Sequence, residues 1–255
     1  MLQSEYDDYY ERSVKFLDRV SRHFMEENIP LQAEVFRSVE PVPFPRRAEG
    51  VYRPIVEGET WGGAWESGWF RLRADIPSKW AERQLALRLN LGGEALLFDQ
   101  DGTPVFAFSA GSIIGPDFRK EIYRLPDCPT GRRVEFWVEA AGNIVHGLLP
   151  DSDPEIGEKC PYGEFKAVAG LMRIGCFNYE LWQLSLDLEI LLDLLKVLPP
   201  RSRRGDLILA AVNRAADRFA EKTENAASAR AELAPELARP ACSSSMTAIG
   251  LGHAH

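Results

Sequence analysis

Residues 85–98 read L-A-L-R-L-N-L-G-G-E-A-L-L-F. Leu85, Leu87, Leu89 and Leu91 fall on one side of an extended chain, and Ala86, Arg88 and Asn90 on the other. Side chains alternate sides along a strand, so this pattern predicts a strand with one buried face. Gly92-Gly93 then leads into Glu94–Phe98, and a glycine pair between two strands predicts a tight hairpin.

The same period of two extends outward. Trp69-Phe70-Arg71-Leu72-Arg73 alternates. Asp101-Gly102 predicts a turn into Val105–Phe108. Val134, Phe136 and Val138 oppose Glu135, Trp137 and Glu139, and 167–177 completes the series as a last strand. Many short strands with Gly and Pro turns and no helix between them predict an antiparallel β-sandwich over 55–178, with jelly-roll topology.

Helical periods flank it. Tyr10, Val14, Leu17, Val20 and Phe24 recur at spacings of three and four, which predicts a helix from Glu5 to Asn28. Residues 29–54 are Pro-rich. The run Pro41-Val42-Pro43-Phe44-Pro45 forbids helix and resists central strand pairing, so 1–54 reads as an N-terminal helix and an extended surface connector. After the sandwich, Asn178 is positioned to cap a helix that Pro199-Pro200 stops. Ser185, Glu189, Asp193 and Lys196 form its one polar stripe and leucines fill the rest, so that helix is expected to be mostly buried. A second helix starts near Asp206, with Ile208, Val212, Ala215 and Phe219 on one side. A third covers 226–238, weakened by Pro235, and closes a helical segment over 179–240.

The chain has 255 residues, 45% hydrophobic and 27% charged, as in ordinary globular proteins. Its net charge of −8 argues against nucleic acid or an anionic membrane as partner, and is compatible with a neutral ligand such as a sugar. The start, MLQSEYDDYYERS, lacks the basic and apolar regions of a signal peptide. The most apolar run, 181–198, is broken by four charges, so no transmembrane helix is expected. A cytoplasmic protein is the expectation. Cys128, Cys160, Cys176 and Cys242 are scattered and contain no C-x-x-C pair, which points to reduced thiols rather than a zinc ribbon.

Several residue types invite a chemical reading. Trp61, Trp65 and Trp69 are spaced by four. Flat aromatic faces stack on sugars, but tryptophans entering a strand more often fill a core or an inter-domain contact. Asp99 and Asp101 suit a turn better than a calcium site, and the acidic stretch from Asp151 to Glu158 lacks the order of an EF-hand. His23 and His146 are isolated, and there is no nucleophile elbow, P-loop or dinucleotide fingerprint. The sharpest signal is the end, T-A-I-G-L-G-H-A-H at 247–255. Ile249 and Leu251 predict a short buried strand, and His253 and His255 two apart share one of its faces. Active sites of α/β folds form at such strand ends. The expectation is the front part of a larger enzyme, with 241–255 opening its catalytic domain.

Four segments together resemble glycoside hydrolase family 38, the class II α-mannosidases, in their cytosolic and bacterial subgroup. They are W-G-G-A-W-E-S-G-W-F-R at 61–71, L-G-G-E-A-L-L-F-D-Q-D-G-T-P at 91–104, D-L-E-I-L-L-D-L-L-K-V-L-P-P at 187–200, and the terminal A-I-G-L-G-H-A-H. Ala95 departs from the glycine that the family commonly has there. The resemblance implies an α+β chain: N-terminal helix, jelly-roll-like sandwich, helical segment, and the first strand of a truncated (β/α) catalytic domain. It implies a zinc-dependent retaining mannosidase acting on mannose-containing oligosaccharides. His255 matches the zinc-binding His of a G-H-A-H-I-D motif, and His253 matches its first His, with a supporting role and a weaker claim to the metal. The zinc-binding Asp, the remaining ligands, the nucleophile and the acid/base fall outside these residues, so this chain alone is expected to be architectural and inactive. Contacts within a homo-oligomer are among the roles the family leaves to this region. The alternatives are a stand-alone carbohydrate-binding sandwich using Trp61, Trp65 or Trp69, and an oligomerisation domain.

Overall fold

The leucines of 85–91 do form one buried face. In the computed structural model, which describes residues 3–110, 119–127, 132–142, 166–199, 202–221 and 225–240, Leu85, Leu87 and Leu89 are fully buried on strand β6 (Leu85–Leu89). The other strands are β1 (Asn28–Pro30), β2 (Gln32–Ser38), β3 (Arg53–Ile55), β4 (Thr60–Gly63), β5 (Ser67–Asp75), β7 (Glu94–Phe98) and β8 (Pro104–Ser109), then β9 (Ile122–Arg124), β10 (Arg133–Ala141), β11 (Lys166–Val168) and β12 (Met172–Cys176). They pair antiparallel in the orders β1-β12-β6-β9, β3-β2-β5-β10-β7-β8 and β11-β4. The inner faces of the four- and six-stranded sheets share one core. Leu85, Leu87, Leu89, Met172 and Ile174 come from the first, and Val35, Phe70, Leu72, Leu97 and Val138 from the second. This is the expected sandwich, with jelly-roll-like antiparallel sheets.

The link from β6 to β7 is not the predicted hairpin. β6 pairs with β12 and β9, whereas β7 pairs with β10 and β8. Gly92-Gly93 therefore carries the chain from one sheet to the other. Gly92 has φ +77°, and a Cβ there would lie 2.5 Å from the Val168 carbonyl oxygen. The glycine serves a corner with close backbone approach, a use that the dipeptide alone does not distinguish from a two-residue turn. The Asp101-Gly102 turn does join a hairpin, β7 to β8.

Residues 29–54 also differ from a surface connector. β2 sits between β3 and β5, and all seven of its residues pair with β5. Its inward side holds only Ala33 and Val35, so its alternation is weak beside the prolines that follow. The proline run itself stays out of the sheets. It enters a 3-10 turn, Phe44–Glu49, laid over the outer face of the six-stranded sheet. There the Val42 carbonyl accepts a hydrogen bond from Trp69 Nε1 at 2.7 Å, and the Phe44 ring packs against Trp69 and Phe98. The stretch 167–177 likewise splits into β11 and β12, which join different sheets.

The chain divides into two compact units. Residues 25–177 hold the sandwich. The described residues up to Phe24 group with those from Asn178 onward, as four helices: α1 (Gln3–His23), α2 (Tyr179–Val197), α3 (Arg203–Glu221) and α4 (Ala226–Leu237). Asn178 caps α2 as expected, its side chain accepting from Leu181 N at 3.1 Å. On α3, Ile208, Val212, Ala215 and Phe219 are buried. Pro235 lies inside α4, where it has no N–H to give the Ala231 carbonyl, so the helix is weakened near its end as expected.

Two stripe assignments shift. On α1 the buried positions include Ser13, Phe16 and Val20, with Phe24 just past its end, and Val14 is exposed. A count of apolar residues passes over Ser13, whose hydroxyl donates to the Tyr9 carbonyl and accepts from Asn213 Nδ2. On α2, Ser185 is buried by donating to the Trp182 carbonyl, while Ile190 and Val197 are 59% and 78% exposed. Among the described residues, no helix is long and apolar enough to cross a membrane.

One carboxylate on the outer face of the six-stranded sheet is poorly solvated. Glu139 of β10 lies between Trp69 of β5 and Leu96 of β7 in register, and accepts a hydrogen bond from Ser67 Oγ at 3.2 Å. Burial pushes its pKa up, and the Ser67 bond offsets only part of that. A carboxylate with a raised folded pKa binds its proton more tightly in the native state, so its ionisation subtracts stability as pH rises through that pKa. Glu139→Gln is expected to raise the urea midpoint of the sandwich at pH 7, and the gain should vanish below the ordinary glutamate range. A gain that persists at low pH would contradict this account.

Candidate functional site

The segment T-W-G-G-A-W-E-S-G-W at 60–69 runs from β4 into β5, and its three tryptophans have three different fates. Trp61 is 1% exposed. Its indole N–H donates to the Leu91 carbonyl at 2.7 Å, and its ring meets Phe70 edge-on. Gly68 makes room for it, since a Cβ there would lie 2.7 Å from the Trp61 ring. Trp69 is also 1% exposed, sealed beneath the Phe44 turn. Neither ring has a face to offer a ligand, which corrects the sugar-platform reading for these two residues. Both are large apolar bodies whose single N–H finds a backbone acceptor, and that lets them sit in a core without an unpaired donor.

Trp65 is different. It is 58% exposed, and its φ is +63°. Left-handed backbone is uncommon for a bulky residue and must be held by its surroundings. The holding bonds are visible: Trp65 N donates to the Gly142 carbonyl at 2.6 Å, and Gly142 N donates to the Glu66 carbonyl at 2.7 Å. The Glu66 carboxylate accepts from Gly63 N at 2.6 Å and lies 3.6 Å from the Arg37 guanidinium. A Cβ on Gly142 would lie 2.2 Å from the Gly63 carbonyl oxygen, so the loop and the end of β10 interlock at backbone range. The loop thus fixes the backbone beneath an exposed indole.

The other candidates resolve more simply. The Asp99 carboxylate accepts from Asp101 N and Thr103 N at 3.0 and 2.8 Å, the turn-forming use expected of it. His23 Nδ1 lies 2.6 Å from the Arg19 carbonyl oxygen, within its own helix. Cys176 is buried in the sandwich core. His146, Cys128, Cys160, Cys242, the acidic stretch from Asp151, and the terminal pair His253 and His255 lie outside the described residues. Among the described residues, no three His, Cys, Asp or Glu side chains group closely enough to hold a metal ion.

Two polar arrangements have no counterpart in the sequence patterns. Arg173 of β12 grips Glu57 with Nε and Nη2 at 3.1 and 2.9 Å, while Met172 N donates to the same carboxylate. Burial pushes the Glu57 pKa up, but these bonds outweigh it and the net displacement is downward. The Arg47 guanidinium lies 3.5 Å from the Phe44 ring centre and 4.7 Å from that of Trp137. Spacing carries no signal for the Arg173–Glu57 and Arg47–Trp137 contacts, because those partners are far apart in sequence and meet only in the folded sandwich. Both pin loops to sheets and have no reactive geometry.

The α-mannosidase jelly roll domain matches residues 29–160. Alpha-mannosidase G of Dictyostelium discoideum is 24% identical over 205 residues, covering 76% of this chain and 18% of that protein. Human Alpha-mannosidase 2C1 is 26% identical over 186 residues, covering 70% of this chain and 16% of its own length. This chain therefore spans less than a fifth of these curated relatives. Among solved structures, a β-glucuronidase from Ruminococcus gnavus aligns with 59% of this chain and 29% of its own, at 13% identity and a TM-score of 0.39, too low to bear on fold or function. The matched span is about half of the chain and takes in most of the sandwich, so this chain belongs to the α-mannosidase jelly roll domain family and resembles the N-terminal region of the class II α-mannosidases.

Proposed function

We propose that this chain is the N-terminal, architectural portion of a cytoplasmic, zinc-dependent, retaining α-mannosidase that removes terminal α-D-mannosyl residues from oligosaccharides. The observation that carries this reading is the jelly roll match over residues 29–160, all of it within the sandwich unit. The fold agrees with a supporting role, since its buried tryptophans and its Arg–Glu pairs go to packing and loop anchoring.

Zinc is the metal that the family implies, and among the described residues no three His, Cys, Asp or Glu side chains group closely enough to hold it. Protein zinc sites take about three or four side-chain ligands. The residues matching the family motif are His255 and, with the weaker claim, His253. Two imidazoles without a carboxylate hold zinc weakly. Retaining hydrolysis also needs two carboxyl groups flanking the scissile bond, and none of the described residues is assigned to that pair.

Purified 255-residue chain supplied with zinc is expected not to hydrolyse an aryl α-mannoside above buffer rate. Measurable turnover would overturn the architectural reading. Sequencing the native gene product is expected to find an Asp two positions beyond His255, and a product without it would remove the mannosidase assignment.

A second reading rests on Trp65 alone. A 58% exposed indole on a hydrogen-bonded loop is the feature expected of a sugar-stacking platform. If the sandwich binds mannosides through it, a mannose oligosaccharide will quench part of the tryptophan fluorescence saturably, and Trp65→Ala will abolish the response. Equal quenching by both proteins, or none by either, excludes this reading.

A further inference from the structure

The outer face of the six-stranded sheet is covered only in part. Phe44 packs on Trp69 and Phe98 and closes it on one side. Next to that cover, two register rows cross β5, β10, β7 and β8. The nearer row is Trp69, Glu139, Leu96 and Ala107, and the farther one is Ser67, Ala141, Glu94 and Ser109. Ala107, Ala141 and Leu96 are exposed, so small side chains leave the middle of this face open. Four strands and two rows span about 14 Å by 7 Å, room for one or two sugar rings. The Trp65 loop stands at the far end, two residues before Ser67. Glu139 is the odd member of the face. Its carboxylate is half out of water, its one hydrogen bond among the described residues comes from Ser67 at 3.2 Å, and no charged neighbour offsets its burial. Elsewhere in the sandwich such carboxylates meet a cation, as Glu57 meets Arg173 and Glu34 meets Arg73. A carboxylate kept at a cost to stability on an open face is the form a binding group takes.

We propose that this open face binds a neutral saccharide, with the Trp65 indole stacked on one sugar ring and the Glu139 carboxylate accepting hydrogen bonds from adjacent hydroxyls. The proposal rests on the Trp65 reading and supplies its polar half. A stacking ring gives contact area but little selectivity, because many flat faces fit an indole. Orientation comes from a few placed polar groups. A carboxylate accepts at both oxygens, and Ser67 takes up only part of that capacity. Two adjacent sugar hydroxyls present a pair of donors to such a group. Partial burial reduces competition from water and strengthens the bonds. The lengths agree. Trp65 and Ser67 are at most about 7 Å apart along the chain, and Ser67 Oγ lies 3.2 Å from the Glu139 carboxylate. The same group sets the ligand class, since an acidic sugar would bring its carboxylate against an uncompensated negative charge.

Calorimetric titration of the full 255-residue chain with mannotriose, and with the mannuronate trimer of the same linkage, tests it. Wild type is expected to bind the neutral trimer and to bind the acidic one about tenfold more weakly. Glu139→Gln should weaken mannotriose binding about tenfold, because hydrogen bonds to a charged acceptor are the stronger ones. It should also narrow the gap between the two trimers. Trp65→Ala should abolish binding of both. Glu139→Gln is expected to be more stable than wild type, so unfolding does not explain a loss, and its urea midpoint is the check. Loss on Trp65→Ala with none on Glu139→Gln overturns the proposal and leaves the Trp65 reading standing. Loss on Glu139→Gln with none on Trp65→Ala, or no binding by wild type, overturns both. Equal affinity of wild type for the two trimers overturns the assignment of a charged acceptor.

Discussion

The interlock of two inner sheet faces governs the sandwich. Leu85, Leu87 and Leu89 share one core with Phe70, Leu72, Val138 and Leu97 of the opposite sheet, and all seven are at most 2% exposed. Burying a leucine contributes about 1.5–3 kcal/mol, so the three on β6 alone rival the net stability of a typical domain, about 5–15 kcal/mol. That requirement dictates the connections. With Leu97 of β7 also facing inward, the chain must change sheets between Leu91 and Glu94. It does so at Gly92, where positive φ and close approach to Val168 exclude a side chain.

Once the faces are joined, the remaining difficulty is polar. A core that takes in two indoles must satisfy two N–H donors, and each finds a carbonyl at 2.7 Å: Leu91 for Trp61 and Val42 for Trp69. The second bond explains why the proline run matters although it joins no sheet. Val42 and Phe44 cover Trp69 on what would otherwise be an open sheet face. Glu139, next to Trp69 in register, shows the cost of that cover, for partial burial answered by a serine hydroxyl raises its pKa. Glu57 is also drawn partly out of water, but the Arg173 guanidinium grips it and its pKa moves the other way.

Period and punctuation are legible in the sequence. The alternation at 69–73, 85–91 and 134–138, the cap at Asn178 and the stop at Pro199 are local facts, and each element stands where they put it. Partners are less legible. Gly92-Gly93 looks the same whether it closes a hairpin or turns a corner, since the difference lies in whether β6 finds β7 or β12 as its neighbour. Residue type marks Ser13 and Ser185 as polar, but a hydroxyl that bonds a carbonyl about one turn back can be buried. For the candidate sugar platform, spacing offers three equal tryptophans. Only the backbone separates them, through the strands that bury Trp61 and Trp69 and the left-handed turn that exposes Trp65.

Leucines on nearly every side of α2 imply burial on nearly every side, yet the helical unit covers only one of its two apolar faces. Composition predicts burial for a sound reason, because an all-round apolar helix in water exposes surface at a free-energy cost. Burial can, however, come from outside the fold. The same logic applies to Trp65, whose backbone is fixed by its hydrogen bond to Gly142 while its ring faces solvent. Holding a backbone in an unfavourable region costs stability, and an indole left wet returns none of it through burial.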